Sequence, residues 1–517
     1  MGPERKTAHQ TATDGGDTPP QMNSNVPIGN PKVYFIFFIR VYTYDFRFPD
    51  DFQLGKIRKA FLAERPLRSS LKIQSTRNPR STSVQRAAFK VALTAIAVAA
   101  AFASTAHAAG FMLTEQSAGS LGRAYAGAGV DGTDLSGVYY NPATMVLHKG
   151  TAVQLGLVGV GLNLDYAGED GTTANGRNKA EVIPHGYFVH QINDTVWFGL
   201  GVTVPFGMGT EYDSHWDQAD RGISANIQTV DINPNFAFKL SEKFSVGFGA
   251  SIQYAQADLK KRSELKANGT AVPGGTAESE IDADSIAWGW NVGFMWSPVE
   301  NFRVGVSYRS KIRHDAEGDL TLSDPRVSNP NNPSDNSWGD SLNNPMINPM
   351  MTTHDGYATV TAPAWAMASV AWDVNDLVSL YGTFRWTDWS SFDKLEITSD
   401  VGLGETITNK WRDTYLGSLG MDLRLTDWWT LRGGIAYESS PISKPEYRTA
   451  IIPDADRWWF AIGSSFKWND NFQTDVSFAH LHGVHERSLY NSEDGGKVGK
   501  FRKLDAYLLG VQMVYKF

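Results

Sequence analysis

Phe244-Ser245-Val246-Gly247-Phe248-Gly249-Ala250-Ser251-Ile252-Gln253-Tyr254 is the stretch that decides the fold. Every second residue is large or apolar and the residues between are small or polar, the period of an extended chain whose two faces meet different surroundings. A strand with lipid on one side and a lumen on the other has this pattern. It recurs at Phe302, Val304, Val306 and Tyr308, interleaved with Arg303, Gly305, Ser307 and Arg309, and again at Leu509, Val511, Met513, Tyr515 and Phe517.

Working outward from these segments, about fourteen strands are predicted between 151 and 517, an even number as closed bacterial barrels require. Their connections come in two kinds. Tight links at Asn193-Asp194, Ser241-Glu242, Pro298 to Asn301, Val374-Asn375, Thr426-Asp427 and Asn469-Asp470 take turns with long ones near 166–180, 209–225, 260–281 and 320–355. Short turns belong on the periplasmic side and long loops outside. Phe244, Trp296, Phe302, Trp372, Trp428, Trp429, Trp468 and Phe472 flank the short turns, where amphipathic rings match the headgroup layer. The predicted fold is therefore all-β, a transmembrane antiparallel barrel over 151–517. A soluble sandwich or propeller also alternates, but it explains neither the two classes of loop nor the aromatic girdle.

Composition agrees. The 517 residues are 12% aromatic with 49 glycines, which suits β structure, and the absence of cysteine excludes a disulfide framework, a Cys-ligated zinc site and a thiol nucleophile. A net charge of -8 argues against a nucleic-acid partner. A mean hydropathy of -0.30 is too polar for a bundle of membrane helices.

One apolar run, Val91 to Ala103, follows Arg86 and Lys90 and precedes Ala106-His107-Ala108. It is too short to span as a helix and has the small residues that a signal peptidase inspects. Residues 85–108 are read as a signal peptide cleaved after Ala108. Residues 1–84 are assigned no function and are not expected in the mature protein, with translation starting near Val84. Residues 1–108 hold 15 basic and 7 acidic side chains, leaving an exported chain near -16.

Between cleavage site and first strand lies 109–150, rich in Gly and Ala and without alternation. Such a segment can fold back into the lumen as compact turns. Here the residues become recognisable. Ala109-Gly110-Phe111, Gly122-Arg123-Ala124-Tyr125 and Asn141-Pro142-Ala143 resemble the N-terminal hatch of the FadL family of outer-membrane long-chain fatty acid transporters. The resemblance continues through Pro205-Phe206-Gly207, Thr210-Glu211, Tyr308-Arg309-Ser310, Trp386 to Trp389, Ile452-Pro453-Asp454 and Asp456-Arg457, and covers essentially all of 109–517. It implies a fourteen-stranded barrel in the bacterial outer membrane, plugged by its N-terminus. It also implies passive, ligand-gated uptake of hydrophobic compounds, with long-chain fatty acids in some members and aromatic hydrocarbons in others.

Proline cannot donate a ladder bond, so Pro205 inside a strand either ends that strand at a loop or bends it. The resemblance favours a bend over Pro205, Phe206 and Gly207 that opens a lateral exit; Asn233-Pro234 on the next strand is the alternative. A fatty acid needs an apolar slot and a cation for its carboxylate. By the match to the family, Leu259 would touch the tail and Lys261 the headgroup, with Arg262 as the alternate and Lys410 as a second cation. Phe111 matches the hatch aromatic at the family's pocket. Gly122, Arg123, Asn141, Pro142 and Ala143 would shape the hatch, and Arg457 points inward by strand parity.

Other motifs carry less. Gly127-x-Gly129-x-x-Gly132 lacks the flanking strand and helix of a dinucleotide site, so no cofactor is expected. His480, His482 and His485 would have to abandon strand geometry to share a metal, so none is expected there either. No Ser, His and Asp grouping suggests an enzyme. A general porin, a membrane-embedded lipid hydrolase and an adhesin are the competing functions. The expected partners are the hydrophobic cargo, outer-membrane lipid and, through Phe517, the barrel-assembly machinery; the resemblance implies a monomer.

Overall fold

The computed structural model describes residues 110–517 except 177–179, 214, 215, 217, 268, 269, 324–352, 401, 403, 486 and 491–494. The 1–84 extension and the 85–108 export signal expected from the sequence lie outside the described residues. Fourteen antiparallel strands form the wall. The first seven are β1 (Thr151–Gly168), β2 (Ala180–Gln191), β3 in two halves (Val196–Thr203, Gly207–Glu211), β4 (Ser224–Ser241), β5 (Phe244–Ala267), β6 (Thr270–Val299) and β7 (Phe302–Arg309, Ile312–Ser323). Then come β8 (Thr353–Ala362, Trp365–Asp373), β9 (Val378–Thr387, Lys394–Ser399), β10 (Gly404–Thr408, Thr414–Arg424), β11 (Trp429–Glu438), β12 (Arg457–Lys467), β13 (Phe472–Gly483) and β14 (Lys497–Lys516). Each pairs with the next, and β14 returns to β1, from Ala152 opposite Lys516 to Gly168 opposite Gly499. That closure satisfies the backbone between strands, the condition for β structure in hydrocarbon.

Alternation sorts the two faces as predicted. Ile286, Trp288, Leu419 and Leu509 point outward and are more than half exposed, whereas Gln154, Asp231, Asn235, Ser251, Asp475 and Gln512 are buried on the inside. Exposed Trp296, Trp372, Trp428 and Trp468 ring the short-turn end, and Trp288, Trp290, Tyr415, Trp458 and Tyr507 ring the other. Two features differ from the sequence expectation. The predicted long loop at 260–281 is largely strand, because the β5–β6 ladder continues from Lys260 opposite Glu280 to Ala267 opposite Thr270. Above the bilayer the chain needs no apolar face, so the hydropathy period fades while the ladder persists. In addition, β7 to β10 are each interrupted once.

Gly110–Gly150 precedes the wall and contains α1 (Ala118–Leu121), α2 (Gly137–Tyr140) and a 3-10 turn at Pro142–Leu147. Helix α1 touches β12, β13, β14 and β1, while α2 and the 3-10 turn touch β3 to β6. Contact with opposite arcs of the wall places the segment in the lumen. Wall glycines make room for it: a Cβ on Gly247 would lie 2.6 Å from the Pro142 carbonyl carbon, and one on Gly293 would collide with the Asn141 side chain.

Candidate functional site

The site is assembled where the N-terminal segment meets the wall. Its base is fixed by charge. Arg123 is buried, ion-paired to Asp131 and, at 3.0 Å, to Asp422, with its guanidinium 4.1 Å from the centre of the Tyr381 ring. Arg432 extends the network toward Asp475 at 3.4 Å. On the opposite arc Arg309 pairs with Asp231 at 2.9 Å, donates to the Tyr139 carbonyl at 3.2 Å and lies over the Tyr139 ring. Asn141 caps the 3-10 turn by accepting from Ala143 N–H, and its amide donates to the carbonyls of Gly129 and Phe294 at 2.7 and 3.0 Å. Pro142 takes the first position of that turn, where its missing N–H is harmless. Gly122 sits against the Gly463 backbone.

The tip, Phe111 to Gln116, is held mainly by neutral hydrogen bonds to a break in β3. The first half of that strand pairs with β2 only from Gly186 opposite Val202 to Gln191 opposite Trp197. The second half pairs with β4 alone among the described residues. Between Thr203 opposite Asp231 and Gly207 opposite Gln228, β3 advances four residues against three on β4, a one-residue bulge. Asn233-Pro234 keeps its place: Leu200 pairs with Pro234, and the register to β5 is unchanged on either side.

The backbone groups of Val204, Pro205 and Phe206 at this break all find partners. The Gln116 amide donates to the Val204 carbonyl at 2.7 Å and accepts from its N–H at 3.2 Å. Leu113 N–H donates to the Pro205 carbonyl at 2.8 Å, and Gly207 N–H to the Phe111 carbonyl at 2.9 Å. Phe206 N–H and C=O are both met by the Thr229 hydroxyl, at 2.9 and 2.7 Å. Met112 forms an antiparallel bridge to Phe206. The tip thus stands where a neighbouring strand would otherwise run.

Phe111 is buried in a box of rings. Trp389 meets it edge-on at 4.7 Å, Phe392 at 5.2 Å, and Phe206 and Trp411 lie at about 6 Å. The buried indole N–H groups of Trp389 and Trp411 have no acceptor among the described residues. Sequence reasoning did not single out Trp389, Phe392 and Trp411 as pocket residues; they sit in the interruptions of β9 and β10, where alternation gives no guide to direction.

The cations separate. Leu259 packs against both the cluster containing Phe111 and the one around Ile281, and Lys261 follows on the same face of β5, opposite Ser279. Arg262 lies opposite Glu278. Lys410 is exposed, with Nζ 5.5 Å from the Tyr447 ring, while its neighbour Trp411 turns into the ring box. Arg457 is buried and pairs with Asp454 at 2.7 Å; Asp454 also accepts from Gly110 N–H.

Above the barrel a cavity of about 160 Å³ is lined by Arg412, Lys444, Arg448, Asp456 and His485, among others. Burial opposes ionisation of Asp456, but hydrogen bonds from Ser440, His485 and Tyr437 and the charge of Arg412 outweigh it and hold the carboxyl below its usual range.

Residues 99–517 match the sequence profile of the outer membrane protein transport family, OMPP1/FadL/TodX. The chain is 30% identical over 455 residues to a long-chain fatty acid transport protein of Escherichia coli, covering 82% of this chain and 98% of that one. It is 27% identical over 424 residues to outer membrane protein P1 of Haemophilus influenzae, covering 74% and 87%. A Pseudomonas aeruginosa FadL homologue superposes with a TM-score of 0.69 at 24% identity, covering 79% of this chain and all of that one. The Pseudomonas putida toluene transporter TodX gives 0.60 at 17%, covering 78% and 98%. With its profile match, its relatives and its closed barrel in agreement, the chain belongs to the OMPP1/FadL/TodX family of bacterial outer-membrane transport proteins.

Proposed function

We propose that the protein carries out passive, ligand-gated uptake of hydrophobic compounds, most of all long-chain fatty acids, and that residues 109–150 are the hatch of this transporter. The observation that carries the proposal is the joining of the Phe111 ring box to the β3 break through three residues of backbone, Phe111 to Leu113. A cargo that enters the box displaces Phe111, and Phe111 and Leu113 supply the bonds that fill the break at Gly207 and Pro205. Displacement therefore frees the gap beside β2, and an apolar molecule leaves sideways into the membrane rather than through a polar lumen.

One observation favours a cargo with an oxygen acceptor. The Trp389 and Trp411 N–H groups lack partners among the described residues, and a buried donor left unmade costs about 1–3 kcal/mol. A carboxylate would meet them, with Lys261 or Arg262 on the outer part of β5 as the counter-charge. Aromatic hydrocarbon uptake by the same route is the second reading, favoured by the all-ring lining around Phe111. A general porin fits poorly, because the segment through the lumen is pinned by the buried Arg123–Asp422 ion pair on one arc and by the buried Arg309 guanidinium on the Tyr139 carbonyl and ring on the other.

A competition series on the purified protein with oleate, toluene and an alkane tests the proposal. Oleate is expected to displace a bound fluorescent fatty acid at the lowest concentration. Equal potency of toluene would favour the hydrocarbon reading, and a large steady ionic conductance would favour a porin.

A further inference from the structure

On the outer face of β13 the apolar run of Val476 and Phe478, both exposed, gives way to two imidazoles, His480 and His482. Residues two apart on a strand share a face. Across the ladder to β14, His482 stands opposite Asp505 and His480 opposite Tyr507. On the other side Trp458 of β12 stands opposite His482 and Phe460 opposite His480. The group therefore lies in the outer aromatic ring, at the headgroup level of the outer leaflet.

We infer that His480, His482 and Asp505 form a binding site for one borderline divalent cation of the zinc class on the lipid-facing side of the barrel. One ligand atom from each of the three lies within 4.8 Å of the other two. Side-chain rotation alone has to bring them to the separation of about 3.3 Å that tetrahedral bonds near 2.0 Å require. His-x-His on one strand with a carboxylate on the next provides three ligands and leaves a position open. Two imidazoles favour zinc, nickel or copper over magnesium or calcium, which prefer oxygen.

Two details point to a ligand. His480 Nε2 is buried and has no partner among the described residues, although the ring is held in place by stacking at 4.7 Å and 7° on Tyr507. Asp505 meets its fellow ligand His482 at Nδ1 at 2.9 Å and is oriented by Gly483 N–H at 3.3 Å, the kind of outer support that metal-ligating carboxylates have. His485, the third histidine of the sequence motif, belongs elsewhere: it has positive φ and bonds Asp456 at 2.9 Å. The sequence expectation against a metal assumed His485 as third ligand, and Asp505 takes that place.

The test is calorimetric titration of the full chain, purified in detergent and stripped with chelator, with zinc chloride. One saturable site is expected. His480→Ala and His482→Ala should each weaken it by at least about tenfold, since loss of even an outer-sphere partner costs ~10–100-fold, and Asp505→Asn should weaken it likewise. His485→Ala should bind as the parent does. Heat-modifiability on gels verifies that each variant is folded. Absence of a saturable site, or undiminished binding by folded His480→Ala and His482→Ala, would overturn the inference. Cobalt absorption needs no variant: a visible band of a nitrogen-ligated site is expected, and the spectrum of hydrated cobalt alone would contradict it.

Discussion

The two ends of the lumenal segment are held by different physics. Its base, around Arg123, Asn141 and the Tyr139 carbonyl that Arg309 bonds, is tied to the wall by the buried Arg123–Asp422 ion pair, a guanidinium and a side-chain amide. Its tip, Phe111 to Gln116, is tied mainly by neutral hydrogen bonds and ring contacts to a strand that has lost its regular neighbour. Removing one member of a buried ion pair costs about 3–5 kcal/mol, whereas a neutral hydrogen bond is worth ~1 kcal/mol net and is exchangeable. The tip is the more weakly held end, and under the proposed gating it is the end that moves.

The largest effect should come from breaking the base. Arg123→Ala strands Asp131 and leaves Asp422 only the longer contact to Arg432 at 3.6 Å, and the barrel is expected to lose about 3–5 kcal/mol against unfolding in detergent. Bilayer recordings should also reveal ion leak through a loosened lumen. An unchanged unfolding midpoint and a silent bilayer would contradict the charged anchor. Phe111→Ala attacks the tip: a vacated ring site costs roughly 3 kcal/mol of stability, yet cargo should bind more tightly in a tryptophan-quenching titration, having no ring to displace. Weaker binding would mean that Phe111 forms part of the pocket wall.

Smaller effects sharpen the contrast. Pro205→Ala restores an N–H that can pair with β2, and uptake of labelled oleate into cells is expected to fall on the order of tenfold, the equivalent of about 1.4 kcal/mol. Undiminished uptake would remove the β3 break from the route. Smallest is Lys261→Ala, expected to weaken oleate binding by about 1 kcal/mol while leaving a hydrocarbon of equal length unaffected. Loss of equal size for both would assign the site to a neutral cargo.

Much of this was legible in the sequence because a two-faced wall writes itself in period two. Strand number, closure, the two classes of turn and the lower aromatic ring all follow from alternation at residues such as Phe244 to Tyr254. The ring box was not legible. Trp389, Phe392 and Trp411 sit where β9 and β10 are interrupted, and an interruption erases parity. Lys410 illustrates the point. Its φ of 44° is left-handed, so direction counted along the strand fails there and it is Trp411 that reaches Phe111. Pro205 was readable as an irregularity, but which groups would satisfy the broken strand was not: Gln116 and Thr229 are ordinary polar residues until the fold brings them to Val204 and Phe206.

Because the chain has no cysteine, the coupling of tip to break can be locked without background. Met112 and Phe206 are bridged directly, at the spacing an antiparallel pair offers to a disulfide. In Met112→Cys combined with Phe206→Cys, oxidation should abolish oleate uptake and reduction should restore it. Uptake at the parental rate with the bond demonstrably formed would contradict the claim that the tip must leave the break for cargo to pass.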